Sequence, residues 1–507
     1  MTSQAIRVQY MPRENATTAT LPQSSCVEGG NFHDIIRPSL LLVATVLLCL
    51  SFECSSQAAT PAPPNIVFIM ADDLGYAHLG CYGQQKIRTP HLDRMAAEGL
   101  RFTDVYAGCG VCAPSRSVLM TGLHGGHTPV RGNSGGIALA HDDITVAEVL
   151  KQAGYATGLF GKWGLGEHGT TGVPYRQGFD EFFGYLHQIH AHFYYPDYLW
   201  HGEQRYDLPA NRDGGRGQYT HDEIVVKALD FIRRQGNQSF FLYVPFAVPH
   251  YELLVPDDSL QEYAGRFPET PYTGRGRRTG YPHDYAQQAT PKAATAAIIT
   301  HMDRSVGKIL SLLKEQGLDE NTIVFFTSDN GATPGASDPD FFGACGPLRG
   351  TKGTLYEGGL RVPMIVRWPG SIVAGKVSNC VWSFADVLPT LADLAAARTP
   401  SGIDGESIAP VLLGDAATIE RPSTRDYLYW EHAGARALRS GRWKAILSRG
   451  ADSKVKLYNL EEDIGETRNV AAENPAVVTR LGRLLKTAHV PPRPQVEPQK
   501  PAGRQFQ

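Results

Sequence analysis

The sequence predicts an α/β fold: a mainly parallel central sheet flanked by helices, with a smaller C-terminal antiparallel subdomain. Short, continuous apolar runs recur at Asn65–Met70, Ala156–Phe160, Phe240–Val244, Ile323–Thr327 and Met364–Val366. Runs of that kind read as strands buried on both faces, as in a parallel sheet. Helical patterns lie between them, and strands alternating with helices give a layered α/β sandwich. Near residue 420 the pattern changes. Trp443-Lys444-Ala445-Ile446-Leu447 lies in an alternating stretch over Arg436–Arg449, Lys454–Leu460 offers a partner strand, and a helix is expected over Ala476–His489.

The helices have local causes. His91–Gly99 follows Thr89-Pro90, a helix-start signal. Thr145–Gln152 is short and amphipathic. Pro291–Gln316 places Ile298, Ile299, Met302, Val306, Ile309, Leu310 and Leu313 on one face at three- and four-residue spacing.

The chain has 507 residues, so one large domain plus a smaller appendage is expected. A net charge of −3 provides no general field for nucleic acid or an acidic membrane. An anionic ligand must therefore be caught by a local cluster. Residues 1–59 read as a leader. The apolar run 39–50 is too short to span a bilayer comfortably and suits a signal-peptide core, with small residues after it at Ser55–Ala59. A membrane anchor is the alternative. The signal reading predicts a secreted or periplasmic protein, and the change of pattern divides the rest into a large domain over 60–418, a small subdomain over 419–490 and a loose tail over 491–507. Of eight cysteines, Cys26, Cys49 and Cys54 fall in the leader. Cys81, Cys109, Cys112, Cys345 and Cys380 remain, an odd set too small for a disulfide scaffold.

Ligands in open α/β sheets bind beyond the carboxyl ends of the strands. Four runs end in the groups a metal and an anion require: Asp72-Asp73, Gly161-Lys162-Trp163, Pro249-His250 and Ser328-Asp329-Asn330-Gly331. Asp72, Asp73, Asp329 and Asn330 offer hard oxygen ligands, which suit Ca²⁺ or Mg²⁺ rather than zinc. Asp and Asn also form ordinary turns at strand ends. Arg116, Lys162, Lys352 and His250 can hold a tetrahedral oxyanion, although any one of these cations alone reads as a solvated surface residue. Cys112-Ala113-Pro114-Ser115-Arg116 fits either a reactive thiol of lowered pKa or a buried structural cysteine.

Cys-x-Pro-Ser-Arg followed by Thr121-Gly122 resembles the signature of the type I sulfatases. The resemblance extends from Asn65 to about Asn469. It includes Pro64-Asn65-Ile66-Val67 through Asp72-Asp73-Leu74-Gly75, then Gly161-Lys162-Trp163, Pro249-His250, Ser328-Asp329-Asn330-Gly331 and Lys352–Pro363, in the family's order. It implies an alkaline-phosphatase-like fold and a sulfuric ester hydrolase. It also implies oxidation of Cys112 to Cα-formylglycine by a formylglycine-generating maturation enzyme. Asp72, Asp73, Asp329 and Asn330 then bind Ca²⁺ together with the modified Cys112, while Arg116 steadies the formylglycine. Lys162, His250 and Lys352 contact the sulfate and the leaving oxygen. The aldehyde hydrates, one hydroxyl attacks sulfur, and the second lets sulfate depart as the aldehyde reforms, which an ordinary serine cannot do.

One position departs from the resemblance: many members have Lys-Trp-His, and this chain has Lys162-Trp163-Gly164. His168, His127 and His124 are the candidate replacements, or there is no direct substitute. Tyr185–Tyr206, dense in aromatic and His residues, either lines the pocket mouth or packs as an Ω-like loop. His127, Arg131 and Asn133 are further candidates for facing substrate, and Arg131 can equally brace its loop. A sulfated carbohydrate is the preferred substrate over an aryl sulfate. A phosphate or phosphonate ester hydrolase on the same fold and a non-catalytic sulfoglycan binder are the alternatives.

Overall fold

The main sheet is built, in chain order, from β1 (Asn65–Ala71), β2 (Leu100–Tyr106), β3 (Ala156–Lys162), β4 (Glu181–Tyr185), β5 (Tyr198–His201), β6 (Gln204–Asp207), β7 (Phe240–Pro245), β8 (Thr322–Ser328), β9 (Arg361–Arg367), β10 (Lys376–Ser378) and β11 (Trp382–Ser383). The structure is a computed structural model, and it describes residues 63–133, 135–274, 285–414, 425–450 and 453–493. The expected leader, the boundary at 418/419 and the tail beyond Arg493 lie outside the described residues.

The strand order is β10-β2-β9-β8-β1-β7-β3-β4-β5-β6, with β11 also pairing β2. The middle five, β8-β1-β7-β3-β4, are mutually parallel. The reason is legible in β1, whose seven residues are all buried. Ile66, Phe68 and Met70 enter the apolar core on one face, and Val67, Ile69 and Ala71 enter the core on the other. Helices α1 (Pro90–Ala97), α2 (Cys112–Thr121), α3 (Val146–Gln152), α4 (Thr220–Arg234) and α5 (Pro291–Glu315) supply the outer layers. α1, α4 and α5 cover one face, and α2 and α3 the other.

The run Met364–Val366 belongs to a strand, but not to a parallel one: β9 runs antiparallel to both β8 and β2. A fully buried apolar run looks the same in either direction, so its periodicity carries no polarity. The reversal has a consequence for the site. β9 begins at the edge where β8 and β2 end, so the chain leading into it arrives at that edge. β2 and α4 escape the apolar-run pattern. Arg101, Thr103 and Asp104 of β2 are only half-buried and interrupt its hydrophobic run.

The second sheet is the antiparallel meander β12 (Leu428–His432), β13 (Ala435–Ser440), β14 (Trp443–Leu447) and β15 (Val455–Asn459). Helix α6 (Pro475–Thr487) packs Leu481 and Leu485 against Leu438, Ala445 and Leu457. Among the described residues no helix is long and apolar enough to cross a membrane.

Candidate active site

Every parallel strand that ends in a polar pair delivers it to the same edge of the sheet. β1 runs directly into Asp72 and Asp73, and β8 into Asp329 and Asn330. β3 ends on Lys162, and the chain leaving β7 reaches His250. β2, parallel to these strands, leads to α2, which opens on Cys112. The segment before β9 contributes Lys352. Asp72, Asp73, Asp329, Asn330, Cys112, Arg116 and Lys162 are at most 2% exposed.

The signature around Cys112 builds its own turn. Pro114 stands in the first turn of α2, where no backbone N–H is required of it. Ser115 Oγ accepts from Gly108 N at 3.0 Å, and Ala113 N donates to Asn133 Oδ1 at 2.9 Å. At the other end of the helix Thr121 Oγ1 donates to the Ser117 carbonyl, and Gly122 closes the helix at φ 69°, where a Cβ would be strained. The motif thereby holds Cys112 Sγ 3.3 Å from Asp72 Oδ1 and 3.7 Å from Asp73 Oδ1.

Three cations and a histidine surround the carboxylates. Lys162 Nζ lies 2.6 Å from Asp72 Oδ2, and Lys352 Nζ 2.6 Å from Asp73 Oδ2. Arg116 donates through Nε and Nη2 to Asp329 Oδ2, at 3.1 and 2.7 Å, and through Nη1 to the Lys162 carbonyl at 2.7 Å. His250 Nε2 is 3.4 Å from Asp73 Oδ2. Thr333 Oγ1 also donates to Asp73. Burial pushes Asp72 up to about 7, against the pull of Lys162 and with the help of Asp329 and Asp73. Burial acts on Asp73 too, but Lys352 and Lys162 outweigh it and hold that carboxyl below its ordinary value. Burial and the two aspartates Asp329 and Asp72 drive the Cys112 thiol well above its ordinary value. The unmodified side chain is thus a thiol and a poor nucleophile.

The donor set fits a hard divalent cation. Asn330 Nδ2 donates to Asp73 Oδ1 at 2.7 Å, while its Oδ1 is buried with no hydrogen-bond partner among the described residues. An orphaned amide oxygen beside three buried carboxylates is an all-oxygen environment of the kind Ca²⁺ takes. Asp72, Asp73, Cys112 and His250 bring ligand atoms within 4.8 Å of one another.

The remaining candidates divide. His168 is exposed and stacks on Trp200, with centroids 4.8 Å apart. His124 and His127 form a separate cluster around Asp404, with His127 Nδ1 2.9 Å from its carboxylate. Arg131 braces the C-terminal region through Glu431 and the Val490 carbonyl. The segment Tyr185–Tyr206 does reach the site: His192 stacks on His250 with centroids 3.8 Å apart and planes 19° apart, and the Tyr285 hydroxyl is 2.8 Å from His192 Nδ1. Burial, with the nearby His250, Lys162 and Lys352, holds His192 well below its ordinary value and hence neutral. His192, Thr333 and the capping role of Asn133 lay beyond sequence reasoning. Only the density of His and aromatic residues after Tyr185 signalled the first.

Residues 64–397 match the sulfatase family model, and residues 351–489 match that of the N-sulphoglucosamine sulphohydrolase C-terminal region. The chain belongs to the sulfatase family. This sulfatase is 36% identical over 430 residues to N-acetylgalactosamine-6-sulfatase of Canis lupus familiaris, covering 79% of this chain and 74% of the relative. It is 34% identical over 496 residues to arylsulfatase A of Homo sapiens, covering 86% and 89%. Among solved structures it resembles Ps i-CgsB in complex with k-i-k-neocarrahexaose, with a TM-score of 0.69 and 27% identity over 87% of this chain and 94% of the other. As a member of this family the chain is a sulfuric ester hydrolase on an alkaline-phosphatase-like fold.

Proposed function

We propose that this sulfatase hydrolyses the sulfate ester of a sulfated carbohydrate, using a formylglycine formed from Cys112 beside a bound Ca²⁺. The observation that carries the reading is the placement of Cys112 Sγ within 3.7 Å of both Asp72 and Asp73 at the start of a buried helix. The preference for a carbohydrate rests on relatives named for amino-sugar sulfates and on the neocarrahexaose complex. Export through the 1–59 leader and the division into 60–418 and 419–490 belong to the same proposal.

Asp72, Asp73, Asp329 and Asn330 would hold the Ca²⁺ with the side chain at 112, where the ion would offset the ester's charge and acidify a neighbouring hydroxyl. The hydrated aldehyde at 112 would supply the nucleophilic hydroxyl and a second hydroxyl for sulfate release. The chain's own residues do the rest. Lys162 and Lys352 place ammonium groups where the ester's negative oxygens enter, so charge developing on them meets preorganised donors. Arg116, fixed by Asp329 and the Lys162 carbonyl, holds the floor beneath position 112. His250 hands a proton to the leaving oxygen, and its stack on His192 fixes the ring plane for that transfer. The net reaction consumes one water and yields an alcohol and sulfate.

Ion chromatography of sulfate released from a panel of sulfated glycans by matured protein tests the reading. Release from at least one glycan, with matched aryl phosphate esters turned over far more slowly, is the expected result. Glycan binding without sulfate release would reduce the protein to a binder, and a preference for phosphate or phosphonate esters would reassign the chemistry.

A further inference from the structure

The Lys-Trp-His pattern of the family breaks at Gly164, and the structure shows what fills the space. Gly164 has φ +78°, and a β-carbon added to it would lie 2.6 Å from Gln188 Oε1. Gln188 is 1% exposed, yet neither its Oε1 nor its Nε2 has a hydrogen-bond partner among the described residues. A buried carboxamide with both ends unpaired carries a desolvation penalty that native structures rarely leave standing without a water or a ligand to complete it.

The backbone places that carboxamide at the catalytic edge. β3 and β4 pair Lys162 with Tyr185, and beyond the strands Trp163 N donates to the Tyr185 carbonyl and Gly164 N to that of Leu186. Residues 186–188 therefore run alongside Lys162–Gly164. Four residues further on, the same segment puts His192 on His250. Gln188 thus lies on the segment that begins beside Lys162 and reaches His250 through His192. His168, His124 and His127 are engaged elsewhere.

We propose that Gln188 binds the sulfate group of the substrate, its carboxamide taking the hydrogen-bonding place that a side chain at 164 would otherwise occupy. This rests on the sulfatase reading of the site. A carboxamide has no proton to gain or lose near neutral pH, so Gln188 orients the sulfate and takes no part in proton transfer. Gly164 suits that arrangement on two counts: its φ of +78° strains any L side chain, and a Cβ there would force the Gln188 amide to shift.

The test compares wild type with Gln188→Met, which keeps the length and removes the polar end, and with Gln188→Leu should the first fail to fold. An aryl sulfate reads turnover, and inorganic sulfate is the binding probe. The expected result is a fall in kcat/KM of about 10- to 100-fold and a similar rise in the inhibition constant of sulfate. The midpoints of the pH–rate profile stay in place, and Tm is unchanged or higher because an unpaired amide has been removed. Values of kcat/KM and sulfate inhibition within about twofold of wild type would overturn the proposal, as would losses that track a falling Tm with sulfate affinity intact. If wild type releases no sulfate at all, the sulfatase reading itself fails. Gln188 is then judged on binding: a sulfate-induced rise in Tm that the variant lacks supports it, whereas equal rises, or none in either protein, overturn it.

Discussion

Lys444→Met should loosen the candidate site by cutting its link to the small sheet. Lys444 lies on β14 of the small sheet and is fully buried. Its ammonium is 2.7 Å from Glu357 Oε1 and 3.4 Å from Glu466 Oε1. Glu357 also accepts from Arg361 Nε and the Tyr106 hydroxyl, both at 2.7 Å, while its backbone N donates to Glu466 Oε2. Burial alone would raise Glu357, but Lys444, Arg361 and Arg439 outweigh it and hold the carboxylate charged. Removing the lysine leaves two buried carboxylates facing each other with one fewer cation. Breaking a buried pair from one side costs about 3–5 kcal/mol. With an unfolding entropy of ~2.1 cal/mol/K per residue, a unit running from Ala62 to Gln507 should lose ~3–5 °C in Tm. Glu357 stands five residues after Lys352, so kcat/KM should fall as well. Adding Glu466→Gln removes the excess negative charge and should restore part of both losses. Thermal denaturation and aryl sulfate kinetics on the three proteins are the assay. A Lys444→Met protein with Tm within about 1 °C of wild type would refute the view that this network locks the small sheet to the catalytic edge.

Three further outcomes are expected. The Cys112 peptide of matured enzyme should be lighter than its thiol form by about 18 Da, the difference between a thiol and an aldehyde, and Cys112→Ser should lose turnover and retain a sulfo group detectable by mass spectrometry. Stripping divalent cations should abolish turnover, and restoring Ca²⁺ at ~100 times its Kd should add about 2.7 kcal/mol of stability. Asn330→Leu, which deletes the orphaned amide oxygen, should blunt that thermal response. Burial raises Glu252 from 4.5 to about 8 in the folded state, so its contribution to stability is present below pH 4.5 and is lost as pH rises toward 8. At about 1.4 kcal/mol per pKa unit the loss is up to ~5 kcal/mol, and Glu252→Gln should flatten Tm over that range. Parallel pH–Tm curves for the two proteins would argue against it.

The sequence alone determined the parts of this protein whose physics is local. Apolar runs such as Asn65–Met70 and Phe240–Val244 mark strands because both faces must be dry. The polar groups directly after them mark the edge because a strand hands its next residue to its own end. The turn at Cys112 is likewise written in Pro114, Ser115 and Gly122, each acting within a few residues. Tertiary structure decided what depends on direction and on distance along the chain. Met364–Val366 reads identically parallel or antiparallel, and only pairing with β8 and β2 turned it around and brought Lys352 to the carboxylates. His192 meets His250, and Gln188 fills the space left by Gly164, because two separate segments lie side by side at the sheet edge. Lys444 reaches Glu357 across 87 positions of sequence. No periodicity encodes such meetings, because they arise from packing one sheet edge against loops drawn from the whole chain.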